Sequence, residues 1–404
     1  MLIRRGGIMW CKKRHKIVTA IIRPIFKLHF KSKYNLNVKI FKEIDYPTLI
    51  LSNHVTSLDP FIVGSHFKQP LYYMASTDLF QHFFLGKLIK FLVNPIPKMK
   101  SKKSDLTAIK SCIKVSKENG TICIFPEGNR TVTGKLGNID KSIAKLAKSL
   151  KLPIVLFNIH GGYGTEPRWG KGVRKGKMHC EIRKILSYED YKDLELDELY
   201  DIIVENLSVD DLNYYDNYRS SKNAMYLERV LYVCPVCGAF HSLKSRGNAV
   251  ECCNCNFQAT YNSDLTFKSE NNNFKIKNVS DWYDYQLKIV KQIRCENNEC
   301  IYEDDVNLTM PRLYKSKKKL GYGKIKIFPD RFEVCIENKK ECYIFEFENI
   351  EAVTYLGKKK MNIYYKGNTY QVFDKVDSNF LKYVHMFYIL KSKEEEKNDV
   401  FVGL

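Results

Sequence analysis

The stretch 48–59, TLILSNHVTSLD, is a short apolar run followed by a histidine and, five positions later, an aspartate. A second stretch, 121–131, reads TICIFPEGNRT and again ends an apolar run in polar residues and a Pro-Glu-Gly turn. Short, partly β-branched apolar runs are typical of strands buried on both faces. In α/β proteins, catalytic loops follow the carboxyl ends of such strands. We therefore expect functional residues in the two polar segments.

Strand-like and helix-like stretches alternate across residues 35–190, which predicts an α/β domain with a mostly parallel sheet. The predicted strands are 38–41, 48–52, 71–75, 121–125, 154–159 and 177–185, and the predicted helices are 60–67, 78–92, 104–118 and 138–150.

His54 and Asp59 lie where a predicted strand turns into a helix. This spacing allows the carboxylate to fix the imidazole tautomer and to support charge on the ring, so His54 is a candidate general base. A purely structural histidine is the alternative. Arg130 follows a turn at a strand end, where its planar fork can bind phosphate or carboxylate. Here the alternative is a surface arginine on an ordinary turn.

Taken together, the motifs resemble the glycerophospholipid acyltransferase family of the 1-acyl-sn-glycerol-3-phosphate acyltransferase type. The first family block is present as NHVTSLD, and the second as FPEGNRT, with Thr131 where the family usually has serine. A middle block reads IPKMK, with Lys100 in place of the usual arginine, and a last block reads LPIV at 152–155. Lys100 offers a cation but not the fork of an arginine.

The resemblance implies a mechanism and a substrate class. His54 would deprotonate a hydroxyl of a glycerophosphate-type acceptor, with Asp59 holding the ring. The acceptor would be a lysophospholipid or glycerol phosphate, most simply 1-acyl-sn-glycerol-3-phosphate, which gives phosphatidate. The donor would be acyl-CoA or acyl-carrier protein, and the step would need no cofactor. The implied substrate-binding residues are Lys100, Glu127, Gly128, Asn129, Arg130 and Thr131. A non-catalytic lipid-binding or regulatory scaffold is the alternative.

The net charge of +21 is concentrated at the start of the chain, because residues 1–42 hold twelve Lys and Arg and no acid. On a helical wheel, the apolar residues of 16–30 fill one wide arc, so residues 1–34 are predicted to form a basic amphipathic segment at a membrane interface with anionic lipids. The alternative is a core-facing helix with a solvated basic face, and a nucleic-acid partner is disfavoured. No apolar run approaches the ~18 residues that span a bilayer. We expect a peripheral protein on the cytoplasmic, inner face of a membrane.

Thirteen cysteines are present, and four of them form two Cys-x2-Cys pairs within residues 228–262. This spacing predicts a zinc ribbon whose structural Zn²⁺ is held by Cys234, Cys237, Cys252 and Cys255. Cys253 could replace Cys252. The pattern favours reduced thiols and a metal site over a disulfide framework.

The remaining segments are predicted from composition and periodicity. Residues 191–227 are predicted as a helical linker and 263–295 as a connector and helix. Residues 296–395 contain short alternating strands and a final helix, a pattern that loosely resembles a PH-like or GRAM-like domain, with a generic small β-domain as the alternative. The loop 161–177 carries five cations and Trp169, which fits either a ligand-facing rim or a plain solvated loop.

Overall fold

The computed structural model describes residues 9–76, 83–98, 102–214, 216–293, 299–312, 315–337, 342–374 and 379–394. No helix within these ranges combines the length and the hydropathy that a bilayer span requires.

The first half of the chain forms a mixed sheet flanked by helices. Five strands run parallel, and the sixth pairs antiparallel at one edge, in the order β3-β2-β4-β1-β5-β6. The strands are β1 (Leu49–Ser52), β2 (Leu71–Ser76), β3 (Ile96–Lys98), β4 (Thr121–Ile124), β5 (Ile154–His160) and β6 (His179–Leu186). The helices are α1 (Lys13–Tyr34), α2 (Asp59–Ser65), α3 (Phe83–Leu92), α4 (Lys102–Lys117), α5 (Ser142–Leu150), α6 (Gly162–Thr165), α7 (Tyr188–Tyr191) and α8 (Leu196–Leu207).

Both faces of this sheet are covered, which is why its strands are apolar at successive positions. Leu49 and Leu51 pack in a cluster with residues of α4, α5 and α8, and Ile50 packs in the cluster of α1 and α2. Helix α8 buries Leu199 and Ile203 in the first of these clusters. The segment expected to be a linker thus contains a helix that packs on the sheet, and the predicted domain boundaries stay predictions.

The second half contains two antiparallel sheets. Four short strands follow one another in space as β10-β9-β8-β7, and helix α9 comes next in the chain. Seven further antiparallel strands are ordered β14-β13-β12-β11-β17-β16-β15, and α10 follows them. The elements are β7 (Leu243–Arg246), β8 (Ala249–Cys252), β9 (Gln258–Tyr261), β10 (Phe267–Lys268), α9 (Val279–Gln292), β11 (Tyr302–Arg312), β12 (Lys315–Ile327), β13 (Arg331–Ile336), β14 (Cys342–Glu346), β15 (Ile350–Leu356), β16 (Lys360–Tyr365), β17 (Asn368–Phe373) and α10 (Leu381–Glu394).

Two expectations are wrong, and one strand is additional to those predicted. Residues 38–41 are not a strand, although Val38 and Phe41 are buried, because they pack their side chains without joining the sheet. Strand β3 was not predicted, because it has only three residues and includes a proline. Cys335 and Cys342 form a disulfide between β13 and β14, so the expectation of reduced thiols fails there.

Candidate active site

His54 and Asp59 lie at the carboxyl end of the central strand β1. The Nδ1 atom of His54 is 2.7 Å from Oδ2 of Asp59, and the His54 side chain is 20% exposed while Asp59 is fully buried. Because the carboxylate accepts a hydrogen bond from Nδ1–H, the lone pair of the neutral ring is on Nε2. Among the residues that the structure describes, none hydrogen-bonds to Nε2. The histidine is therefore presented as a base toward a ligand.

The Asp59 carboxylate is held by several donors besides the histidine. The backbone N–H groups of Val55 and Thr56 donate to it at 2.6 and 3.0 Å, and the Thr56 hydroxyl donates at 2.6 Å. Asp59 is also the first residue of α2, where the helix dipole stabilises negative charge. The loop 53–58 is thus wrapped around one buried carboxylate, which fixes the orientation of the His54 ring.

Glu127 of the second motif supports the first motif. Its Oε1 accepts the His54 backbone N–H at 2.6 Å, and its Oε2 accepts the Gly137 N–H at 2.6 Å. Burial raises the pKa of Glu127 to about 8, and the two N–H donors act in the opposite direction. Since both oxygens face backbone donors, Glu127 lies behind His54 rather than in the open site. Phe125 completes this support, because its ring stacks on the His54 ring at 4.4 Å.

Arg130 lies beside this pair in the turn after β4. Gly128 has a positive φ of 67° and its N–H donates to the Phe125 carbonyl, which reverses the chain. Burial lowers the pKa of Arg130, and the negative charges of Asp59 and Glu166 oppose the shift. Among the described residues, no hydrogen bond engages its guanidinium. A half-buried cation next to a free imidazole nitrogen can receive an anionic group.

The other residues of the second motif have structural partners. The Asn129 side chain donates to the Tyr355 carbonyl at 2.9 Å. The Thr131 backbone N–H donates to the His54 carbonyl at 2.8 Å, and its hydroxyl donates to the Lys135 carbonyl at 2.7 Å. Lys100 lies outside the described residues. The structure therefore brings together every other predicted residue of the first site, and within the described part of the chain the Nε2 of His54 and the guanidinium of Arg130 have no hydrogen-bond partner.

The sequence analysis missed Arg168, which touches the same loop. The 161–177 loop is not fully solvated, because Arg168, Trp169 and Arg174 are buried, and the ligand-facing rim stays a prediction. Burial lowers the pKa of Arg168 to about 9. Its Nη1 donates to the Arg130 carbonyl at 3.0 Å. A Pro-Arg-Trp sequence was the only local signal, and it does not identify partners that are distant in the chain.

A second candidate site is formed by four cysteines. The thiol sulfurs of Cys234, Cys237, Cys252 and Cys255 all lie within 4.8 Å of one another. Two of the separations are 3.7 Å, between Cys234 and Cys255, and 3.8 Å, between Cys237 and Cys252. Four sulfurs about 2.3 Å from a tetrahedral zinc would be about 3.8 Å apart, so the donor set fits that ion. Cys253 is exposed and outside the cluster, which favours Cys252 as the fourth ligand.

Comparisons with known proteins agree with the first site. Residues 29–159 match the acyltransferase family model, so this segment carries the acyltransferase domain that the motifs predict. The chain is 26% identical over 192 residues to the chloroplastic 1-acyl-sn-glycerol-3-phosphate acyltransferase BAT2 of Brassica napus, which covers 46% of this chain and 53% of that protein. It is 25% identical over 169 residues to the chloroplastic enzyme LPAT1 of Arabidopsis thaliana, covering 41% and 44%.

The chain spans about half the length of these curated relatives. A solved structure, the 1-acyl-sn-glycerophosphate acyltransferase PlsC of Thermotoga maritima, is similar with a TM-score of 0.41 and 19% identity, over 48% of this chain and 79% of that chain.

Proposed function

We propose that this protein transfers a fatty acyl group from a thioester donor to the free hydroxyl of a lysophosphatidate-type acceptor. The observation that carries the proposal is the free Nε2 of His54, whose ring is held by a buried carboxylate, with the unengaged guanidinium of Arg130 on the adjoining loop, where the Thr131 N–H donates to the His54 carbonyl. A base and an anion site side by side are what a hydroxyl on a phosphate-bearing acceptor requires. The named activity of the relatives is the same.

The proposed reaction runs through His54. Its Nε2 takes the proton of the acceptor hydroxyl, and the hydroxyl oxygen forms a bond to the thioester carbonyl carbon. The C–S bond then breaks, and the thiolate receives the proton from Nε2. Asp59 stabilises the imidazolium between the two transfers. General-base catalysis of this kind contributes ~10²–10⁴ in rate. The proposed donor is acyl-CoA or acyl-carrier protein.

Arg130 has the proposed role of binding the acceptor phosphate. In the described part of the chain no direct ion pair joins Arg130 to Glu166, whose oxygens accept hydrogen bonds from Tyr34 at 2.6 Å and Ser57 at 3.1 Å. A planar fork can bind two phosphate oxygens at once. Lys100, Gly128, Asn129 and Thr131 remain proposed members of the acceptor site, and Glu127 is proposed to position His54.

The test is acyl transfer in liposomes. The purified protein and its His54→Ala variant are incubated with acyl-CoA or acyl-carrier protein and with lysophosphatidate, glycerol 3-phosphate or other lysolipids, and mass spectrometry identifies the products. A new lipid from the wild type alone is the expected result. Absence of product with every donor and acceptor would reject the acyltransferase proposal and favour the alternative of a lipid-binding scaffold.

We further propose that helices α1 and α3 rest on an anionic membrane. Helix α1 has seven cations and no acid, and the side chains of Ile17, Ile21, Ile25 and Leu28 on it are between 60% and 72% exposed. On α3, Leu88 and Phe91 are also more than half exposed. Arg14 links the two helices, since its Nε donates to the Phe91 carbonyl at 2.8 Å. Apolar side chains flanked by cations fit headgroups and acyl chains of an inner leaflet.

The four cysteines have the proposed role of holding a structural Zn²⁺. Four thiolates leave no open coordination position, so the ion would join the two halves of residues 228–262 without taking part in catalysis. The Ser242 hydroxyl lies 3.1 Å from the Cys252 sulfur and would orient that ligand.

The last third of the chain is proposed to be a PH-like module. Seven antiparallel strands followed by one helix support this proposal. Helix α10 is buried along much of its length, including Lys382 and His385, so it belongs to the core of this region.

A further inference from the structure

The hairpin between β15 and β16, at the other end of the chain, touches the loop that carries Arg130. The Asn129 side chain donates to the Tyr355 carbonyl at 2.9 Å, 226 residues away in sequence. Tyr355 also lies close enough to raise the pKa of Arg130, which opposes the lowering by burial. The acyltransferase domain and the C-terminal sheet therefore meet at the candidate acceptor site.

Arg168 is the centre of this contact. Its Nη2 donates to the Tyr355 carbonyl at 2.7 Å and its Nε donates to the Gly357 carbonyl at 3.0 Å. Its Nη1 donates to the Arg130 carbonyl at 3.0 Å, and its guanidinium lies 4.6 Å from the centre of the Tyr355 ring. One buried cation thus links the backbone of Arg130 to the backbone of the hairpin. A guanidinium can donate in these three directions at once, whereas an ammonium cannot match the planar arrangement.

The hairpin itself is held in a defined shape. The Tyr355 hydroxyl donates to the Lys358 carbonyl at 2.7 Å, which closes the turn. The Lys358 ammonium donates to the Gly170 carbonyl, two residues after Arg168. Burial lowers the pKa of Lys358, and the nearby charges of Arg229 and Arg130 act in the same direction. The hairpin therefore also brings a cation close to Arg130.

We infer that the C-terminal region positions the acceptor-binding loop, with Arg168 as the positioning residue that connects the 355–358 hairpin to Arg130. This inference rests on the proposed function. Arg130 has no side-chain hydrogen bond of its own among the described residues, so its direction depends on its backbone, and that backbone is held by Arg168. Loosening the hairpin should lower the affinity for the acceptor phosphate while leaving His54, Asp59 and the donor site intact.

The experiment uses the full chain with three substitutions. Arg168→Lys keeps the charge but loses the fork, Tyr355→Phe removes the hydroxyl that closes the hairpin turn, and Arg183→Lys changes an exposed arginine on β6 as a matched control. The affinity for a short-chain lysophosphatidate is measured by calorimetry, and the KM for acceptor and donor and the kcat are measured separately. Hydrogen exchange follows residues 125–131 and 355–358.

Arg168→Lys is expected to weaken acceptor binding and to raise the acceptor KM by about tenfold, with donor KM and kcat within about twofold of wild type. Exchange should increase in both segments together. Tyr355→Phe should show the same pattern at a smaller amplitude, and Arg183→Lys should show none. Unchanged acceptor affinity in folded Arg168→Lys, or equal losses for donor and acceptor, would overturn the inference. If Arg168→Lys does not fold, Tyr355→Phe decides by the same criteria.

The two proposals fail in different ways. Wild-type binding of lysophosphatidate without turnover, together with weaker binding by Arg168→Lys, rejects acyl transfer and supports the positioning role. Normal turnover with an unchanged acceptor KM in the folded variants supports acyl transfer and rejects the positioning role.

Discussion

The backbone N–H of His54 donates a 2.6 Å hydrogen bond to Oε1 of Glu127. A residue of the second motif thus fixes the backbone of the proposed catalytic histidine in the first motif. The other carboxylate oxygen accepts the Gly137 N–H. A carboxylate serves both donors, whereas an amide has only one oxygen. The Glu127 carboxylate is therefore expected to contribute to catalysis through the placement of His54.

Glu127→Gln should lower kcat by about tenfold or more, because its NH₂ group must face one of the two N–H donors and leave that donor unpaired, at a cost of ~1–3 kcal/mol. The acceptor KM should change little. Steady-state kinetics and thermal unfolding measure the two effects, with exposed Glu205→Gln as the matched control. A wild-type kcat in the folded Gln variant would show that this carboxylate does not position the base.

The substitution Asp59→Asn tests the hydrogen-bonded pair of His54 and Asp59. The amide can donate to Nδ1, which would move the ring proton to Nε2 and remove the base from the site. We expect kcat to fall by ~10²–10⁴ while lipid binding is retained. The comparison is with exposed Asp193→Asn. A loss of less than about threefold would exclude His54 as the base in this geometry.

The parts of the site that the sequence predicts are local. His54 and Asp59 are five residues apart, so a strand-to-helix turn brings them together, and β1 and β4 are long enough to be recognised by their apolar runs. Arg168 could not be found this way, because its partners Tyr355 and Gly357 are 187 and 189 residues distant. The prediction of a strand at 38–41 is wrong for a related reason, since burial alone does not specify pairing in a sheet.

The sequence alone also cannot decide which of two neighbouring cysteines is the fourth metal ligand. The spacing left Cys252 and Cys253 as alternatives. In the structure Cys252 ends strand β8 with its side chain buried, and Cys253 is exposed. Cys253 lies in the turn that follows the strand and points its side chain to solvent, so it is not part of the cluster.

This adjacent pair supplies a matched test of the metal site. Cys252→Ser should lose bound zinc and lower the melting temperature, whereas Cys253→Ser should retain about one zinc ion per chain. Metal content by mass spectrometry and thermal unfolding with and without a chelator provide the measurements. Equal zinc content in both variants, or none in the wild type, would contradict a Cys234, Cys237, Cys252 and Cys255 site.

The membrane face is tested by changing one exposed isoleucine. Ile21→Asp replaces an apolar contact with an anion on the basic helix α1, and should weaken binding to anionic vesicles by roughly tenfold or more. Ile185→Asp alters an exposed isoleucine on β6 and is the matched control. Vesicle flotation measures both variants. If the two bind alike, the exposed side of α1 does not contact lipid.

The last prediction concerns His385, which is buried between two tyrosines. The Tyr232 hydroxyl lies 2.8 Å from its Nδ1, and the Tyr283 hydroxyl lies 2.8 Å from its Nε2. Burial lowers the pKa of His385 to about 3. In the unfolded chain an ordinary histidine titrates near 6.5.

Between these two values the unfolded chain binds a proton that the folded chain does not. The free energy of unfolding should therefore fall as pH is lowered from about 6.5 towards 3, by up to ~1.4 kcal/mol per pH unit from this group. In His385→Gln, where the amide can both accept and donate, this part of the slope should disappear. Urea unfolding at a series of pH values measures the slope, and exposed His29→Gln should keep the wild-type value. An unchanged slope in His385→Gln would mean that the buried histidine is already able to take up its proton in the folded protein.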